Sequence, residues 1–154
     1  MSHTRRIAFA VLVAAQLAVP LALIGVNEVA LATGEEVTLM TEPIDPLDPF
    51  RGRYVELNYE IARLPAYAPD GTVYVELARE GERWVVYDVH ASHPHGDRPV
   101  IRGDARDGFA VYGIETYYAD EDEAPRLERL QGRLLVDVVL DDDGQARIDE
   151  VRVR

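Results

Sequence analysis

The chain has 154 residues, enough for one domain with a modest core, and a formal net charge of -12. Arg5, Arg6 and Glu28 fall in the first 32 residues, so the remainder carries 14 arginines against 27 acids, a net charge of -13 that argues against a nucleic-acid partner. There is no cysteine and no lysine, which removes thiol nucleophiles, disulfides, thiolate metal sites, Schiff-base chemistry and the phosphate lysine of a P-loop.

Ile7 to Val26 is a run of twenty uncharged, mostly apolar residues. As a helix rising about 1.5 Å per residue it matches about 30 Å of bilayer hydrocarbon. Arg5 and Arg6 precede the run and Glu28, Glu35, Glu36 and Glu42 follow it, so basic flanks place the N-terminus in the cytoplasm and the rest outside. The reading is a retained membrane anchor over residues 1–32 and an extracytoplasmic domain over 33–154. The alternative is a cleaved signal peptide, because Ala30-Leu31-Ala32 has the small-x-small form of a cleavage site and cleavage after Ala32 would release a secreted domain.

Beyond the anchor, Thr33-Gly34 reads as a helix stop and Glu35 to Met40 as a first strand. Pro43, Pro46 and Pro49 then force an extended connection. From Tyr54 the pattern alternates, with Val55, Leu57, Tyr59 and Ile61 on one face and Tyr54, Glu56, Asn58 and Glu60 on the other, which predicts a half-buried strand. Val73 to Leu77 and Trp84 to Val89 flank the turn Arg79-Glu80-Gly81-Glu82 as a hairpin. His90 to Arg98 is a polar loop, Pro99 to Arg102 a short strand, and Phe109 to Tyr117 a longer strand with Gly113 marking a bulge or a close approach. Asp120 to Leu130 is the helical candidate of this part, its acids favouring a helix start. Leu134 to Leu140 and Ala146 to Val153 flank the turn Asp141-Asp142-Asp143-Gly144, and the apolar phase jump from Ile148 to Val151 predicts a bulge near Asp149-Glu150. The expected fold is mainly β: an N-terminal transmembrane helix, then a small antiparallel barrel or sandwich with at most one short helix.

The stretch Phe50-Arg51-Gly52-Arg53-Tyr54-x-x-Leu57-x-Tyr59 resembles the GDYxxLxY family of bacterial membrane-anchored proteins of unknown function. Thr33 to Val37, Pro43 to Asp48 and Gly113 to Tyr118 extend the resemblance over nearly the whole chain. Members are often encoded beside multi-spanning membrane proteins, which implies a membrane partner. The motif residues are Gly52, Tyr54, Leu57 and Tyr59. Where the family name has Asp this chain has Arg53, a permanent cation that neither ligates metal nor carries acid chemistry. The motif therefore reads as scaffold, with Arg51, Arg53 and Tyr54 as the surface for a partner.

Three further groups carry chemistry on paper. His90-x-x-His93-x-His95 places three imidazoles in one stretch, a set that suits zinc, copper or nickel. The Asp141 to Asp143 run offers oxygen ligands without the spacing of a calcium loop. Glu115 lies in a predicted strand, where glutamate is disfavoured without a reason, and would pair with an arginine such as Arg51 or Arg53 or act as a general acid or base. Ser92, the one serine beyond the N-terminal segment, lacks the nucleophile elbow of a hydrolase. The expectation is a non-enzymatic accessory protein with no cofactor that works with a membrane protein. The alternative is an extracytoplasmic enzyme or metal module built on Glu115 or on the three histidines.

Overall fold

The computed structural model describes residues 9, 12–22, 25, 34–43, 54–119, 124–130 and 132–154. The chain divides into two units, Met1–Thr33 and Gly34–Arg154. In the first, the described residues are helical, and Phe9, Leu12, Leu17, Val19 and Leu21 are exposed. Among the described residues no helix is long and apolar enough to cross a membrane, so the spanning helix expected over Ile7 to Val26 is not seen. The longest described helical stretch there is 12–22, and the rest of the run lies largely outside the described residues.

The second unit is mainly β. Its strands are β1 (Glu35–Met40), β2 (Tyr54–Glu56), β3 (Gly71–Glu80), β4 (Arg83–His90), β5 (Val100–Arg106), β6 (Phe109–Val111), β7 (Thr116–Tyr118), β8 (Leu134–Leu140) and β9 (Ala146–Val153). All pairings are antiparallel and form three sheets ordered β1-β8-β9, β2-β7 and β4-β3-β5-β6, arranged as a half-barrel. One short α-helix, Ala124–Arg129, occupies the end of the predicted helical segment, whose start at 120–123 lies outside the described residues.

Alternation explains the core. Val73, Val75 and Leu77 of β3 point inward with Ile101 of β5, Val37 and Leu39 of β1, and Leu134, Val136, Val138 and Leu140 of β8. All seven residues of β8 are buried, the near-continuous apolar run of a central strand. Its one acid, Asp137, accepts hydrogen bonds from Thr38 Oγ1 at 2.7 Å and Arg152 Nη2 at 2.7 Å, which removes the cost of an unpaired buried carboxylate. The Arg152 guanidinium, with help from Thr38, holds the Asp137 carboxyl below the usual carboxylate range against the opposing effect of burial. Between β8 and β9 the register shifts so that Asp137 faces Glu150 and Val138 faces Ile148, leaving Asp149 as the bulge residue where the apolar phase jumps.

Two predicted strands are broken, and the breaks are linked. β2 ends at Glu56, and Glu60–Ala62 is a 3-10 turn rather than strand. The inward alternation nevertheless runs on through Leu57, Tyr59 and Ile61, because the main chain around Tyr59 is still extended. The predicted strand Phe109 to Tyr117 divides into β6 and β7 at Gly113, whose φ of +83° turns the chain. A Cβ there would meet nothing within 4 Å, so the glycine serves the backbone angle and not a close approach. Once the partner strand bends away at this turn, the ladder of β2 with β7 stops at Glu56, and the chain beyond it keeps single contacts, Leu57 N to Glu115 O and a bridge of Tyr59 to Thr41. The 3-10 turn is instead pinned to β4, where Arg83 Nη1 donates to both Glu60 oxygens at 2.8 and 2.7 Å.

Candidate functional site

The family-like stretch is the natural place to build from. Gly52, Arg51 and Arg53 lie outside the described residues; Tyr54 opens β2 opposite Tyr118 of β7. Val55, Leu57 and Tyr59 are almost fully buried, so three motif-strand side chains are core. Polar bonds then sew this segment to the turn after β6. Leu57 N donates to Glu115 O at 2.7 Å, and the Tyr59 hydroxyl donates to Ile114 O at 2.8 Å. From the other side, the Tyr112 hydroxyl donates to Ile61 O at 2.6 Å. Tyr112 lies over Gly103 of β5, where a Cβ would come within 2.9 Å of its ring. Burial first, and the nearby Glu115 carboxylate second, push both phenols above the usual tyrosine range.

Glu115 is the centre of that turn. Its Oε1 accepts from Tyr112 N at 2.5 Å and its Oε2 from Gly113 N at 2.9 Å, so each oxygen braces an amide that the break in the strand leaves free. The residue sits just before β7 and not inside a strand. Among the described residues no ion pair joins Glu115 to an arginine, and the two arginines named for that role lie outside them. Its place in sequence suggested a partner for an arginine, with an acid-base role as the lesser alternative; its geometry is that of a turn brace.

Beside this turn opens a groove of about 370 Å³. Its lining is apolar in part, with Phe109, Ala110 and Val111 of β6, Ala62 and Tyr59, and polar in part, with Glu42, Glu56, Asn58, Arg63 and Glu115. Phe109 and Val111 alternate outward along β6 and are each more than half exposed. Arg63 reaches both kinds of lining: its guanidinium carbon lies 5.7 Å from the Phe109 ring centroid and its Nη2 lies 4.0 Å from Glu42 Oε2. The sequence reading missed Arg63, Phe109 and Val111. The outward phase of Phe109 and Val111 was legible, but the meeting of β6 with this segment rests on long-range contacts, the bridge of Arg63 to Phe109 and the bond from Leu64 N to Gly108 O.

The three histidines do not converge. His90 ends β4 with Nε2 3.6 Å from Glu76 Oε2 and 3.8 Å from Asp88 Oδ2, too far for a hydrogen bond, and this nitrogen is buried without a partner. His93 is exposed, with Nδ1 2.9 Å from Pro94 O and its ring edge-on to Tyr74. His95 is exposed in the loop. Among the described residues no group of three or more His, Asp or Glu side chains is arranged to hold a metal ion. The acidic tetrad is a turn: Asp141 Oδ1 accepts from Asp143 N at 3.1 Å and Gln145 N at 2.8 Å, and Oδ2 faces Arg147 at 3.3 Å.

Residues 16–151 match the family model described as GDYXXLXY protein. Neither a curated protein nor a solved structure matches the chain.

Proposed function

The chain belongs to the GDYXXLXY protein family, and from that premise we propose that it is a membrane-anchored accessory protein whose acidic β domain works outside the cytoplasm by contacting a multi-spanning membrane protein. The observation that carries this reading is the use made of the motif segment. Leu57 and Tyr59 are buried and Glu115 spends both oxygens on backbone amides, so the polar groups near the motif build a turn and leave an open groove beside it. A groove with exposed Phe109 and Val111 at its wall suits a protein contact better than it suits a reaction, which would need a free acid and base facing each other.

Anchoring rests on the sequence: twenty uncharged residues from Ile7 to Val26 with arginines before and acids after. The apolar side chains exposed on the described helical residues, Phe9, Leu12, Leu17, Val19 and Leu21, agree with a segment covered by lipid or by a partner. The alternative metal module is less favoured, because His90 lies beside Glu76 and His93 against Tyr74, and among the described residues no three candidate ligands are grouped.

Crosslinking in intact cells followed by affinity capture of the full-length chain from solubilised membranes tests the reading. The expected result is one multi-spanning protein recovered reproducibly. Recovery of none, or release of the protein from washed membranes by high salt, would overturn it.

A further inference from the structure

Resting on that reading, we infer that the groove beside β6 seats an arginine- or lysine-bearing extended segment of the partner protein. An arginine side chain has two parts, an apolar stem and a planar cation, and the lining of the groove offers a surface to each: Phe109 and Val111 to the stem, the Glu42 and Glu56 carboxylates to the cation. Arg63 already displays this mode within the domain. Its guanidinium lies across the Phe109 ring and reaches toward Glu42 at 4.0 Å, while its side chain stays 69% exposed. A pair so long and so open to water is weakly held. A partner guanidinium that loses its own water on docking competes for the same ring and the same carboxylate, or binds alongside.

Charge selects the occupant. The part of the chain beyond residue 32 carries a net charge of -13 and no lysine, so a second copy approaches against repulsion while a basic segment is drawn in. Asn58 presents an amide at the groove that can bond a main chain lying along it.

The test uses the detergent-solubilised full chain and fluorescein-labelled peptides of alternating arginine and valine, with citrulline in place of arginine as the neutral control. Anisotropy titration should show the arginine peptide binding more tightly than the citrulline peptide by about tenfold or more at low salt, with the advantage shrinking as salt rises. Glu42→Gln with Glu56→Gln should remove most of that advantage, and Val111→Ser should weaken both peptides. Replacing Asp141, Asp142 and Asp143 with asparagine should leave it, since that turn is acidic but does not line the groove. Thermal melts verify that each variant folds.

Equal binding of the two peptides, or equal loss from the Asp141 to Asp143 variant, overturns the assignment. So does displacement by spermidine at the concentration of the arginine peptide, which marks a small-cation site. Concentration-dependent dimerisation abolished by the Glu42 and Glu56 changes overturns it in favour of a second copy. Capture of a membrane protein that the Glu42 and Glu56 changes leave intact refutes the groove while sparing the accessory reading; selective peptide binding with no captured partner does the reverse.

Discussion

The β1-β8-β9 sheet and the β2-β7 ribbon are held together by different means. β8 pairs along six residues with β1 and along its whole length with β9, and its side chains are buried throughout. The ribbon has three paired residues on each side. It is completed by side chains reaching main chain: Tyr59 to Ile114, Tyr112 to Ile61, and Glu115 to the amides of Tyr112 and Gly113. A long ladder spreads its stability over many bonds, whereas a short ladder depends on a few named side chains. The family-like stretch lies in the second kind of region, where Tyr59 is fixed by a specific partner and not by hydrophobicity alone.

Leu57→Ala should be the largest break in the comparison. Leu57 is wholly buried at the end of the ribbon, and a cavity there should cost about 2–5 kcal/mol in denaturant unfolding. A cost comparable to a surface change would show that the ribbon lies outside the cooperative core. Tyr59→Phe and Tyr112→Phe each remove a buried hydroxyl donor and should cost about 1–2 kcal/mol apiece, more than the same deletion at exposed Tyr67.

These two phenols also set an alkaline signature. Their folded pKa values are raised above the unfolded value of about 10, so their contribution is complete below about pH 10 and is lost as pH rises toward the folded values. Unfolding followed by circular dichroism across that range should show a shallower alkaline loss in Tyr59→Phe than in the parent.

Glu115→Gln keeps one acceptor oxygen and surrenders the charge, so one of the two amides in the turn loses its brace. The expected cost is about 1 kcal/mol, with amide exchange at Tyr112 and Gly113 accelerating while that of β8 is unchanged. Equal acceleration in β8 would sink the view of two separately held regions.

The smallest effect is assigned to the long sheet. Asp137→Asn disturbs a carboxylate whose partner Arg152 is nearly half exposed, so screening holds the cost to about 0.5 kcal/mol. The folded Asp137 pKa is lowered, so its contribution is present above the unfolded value of about 4 and is lost as pH falls through the folded one. The parent and the variant should therefore converge in acid and separate at neutral pH. A constant gap across the titration would remove Asp137 from the account.

Where local pattern and neighbours agreed, the strands were legible. Leu134 to Leu140 and Ala146 to Val153 are observed at the predicted bounds, and the phase jump located the bulge at Asp149. Glu35 to Met40 likewise matches β1. The inward set Val55, Leu57, Tyr59 and Ile61 followed from period-two alternation, and all four are buried although only Val55 lies in a strand. Alternation reports which side of an extended chain faces the core; it does not report whether another strand is there to pair with it.

The β8-β9 hairpin, the turns at Gly81 and Gly144, and the core face of the motif follow from the sequence alone, because each depends on residues close together in the chain. The role of Glu115 did not, because a carboxylate gives no sign of whether it will meet a proton, an arginine or a pair of backbone amides. Only the tertiary structure decided that, by turning the chain at Gly113 and bringing residues 112–115 against 57–61. The groove was decided by long-range pairing too: the bridge of Arg63 to Phe109 and the Leu64 N to Gly108 O bond set β6 beside the motif segment, across more than forty residues of sequence. No local pattern encodes a meeting at that separation.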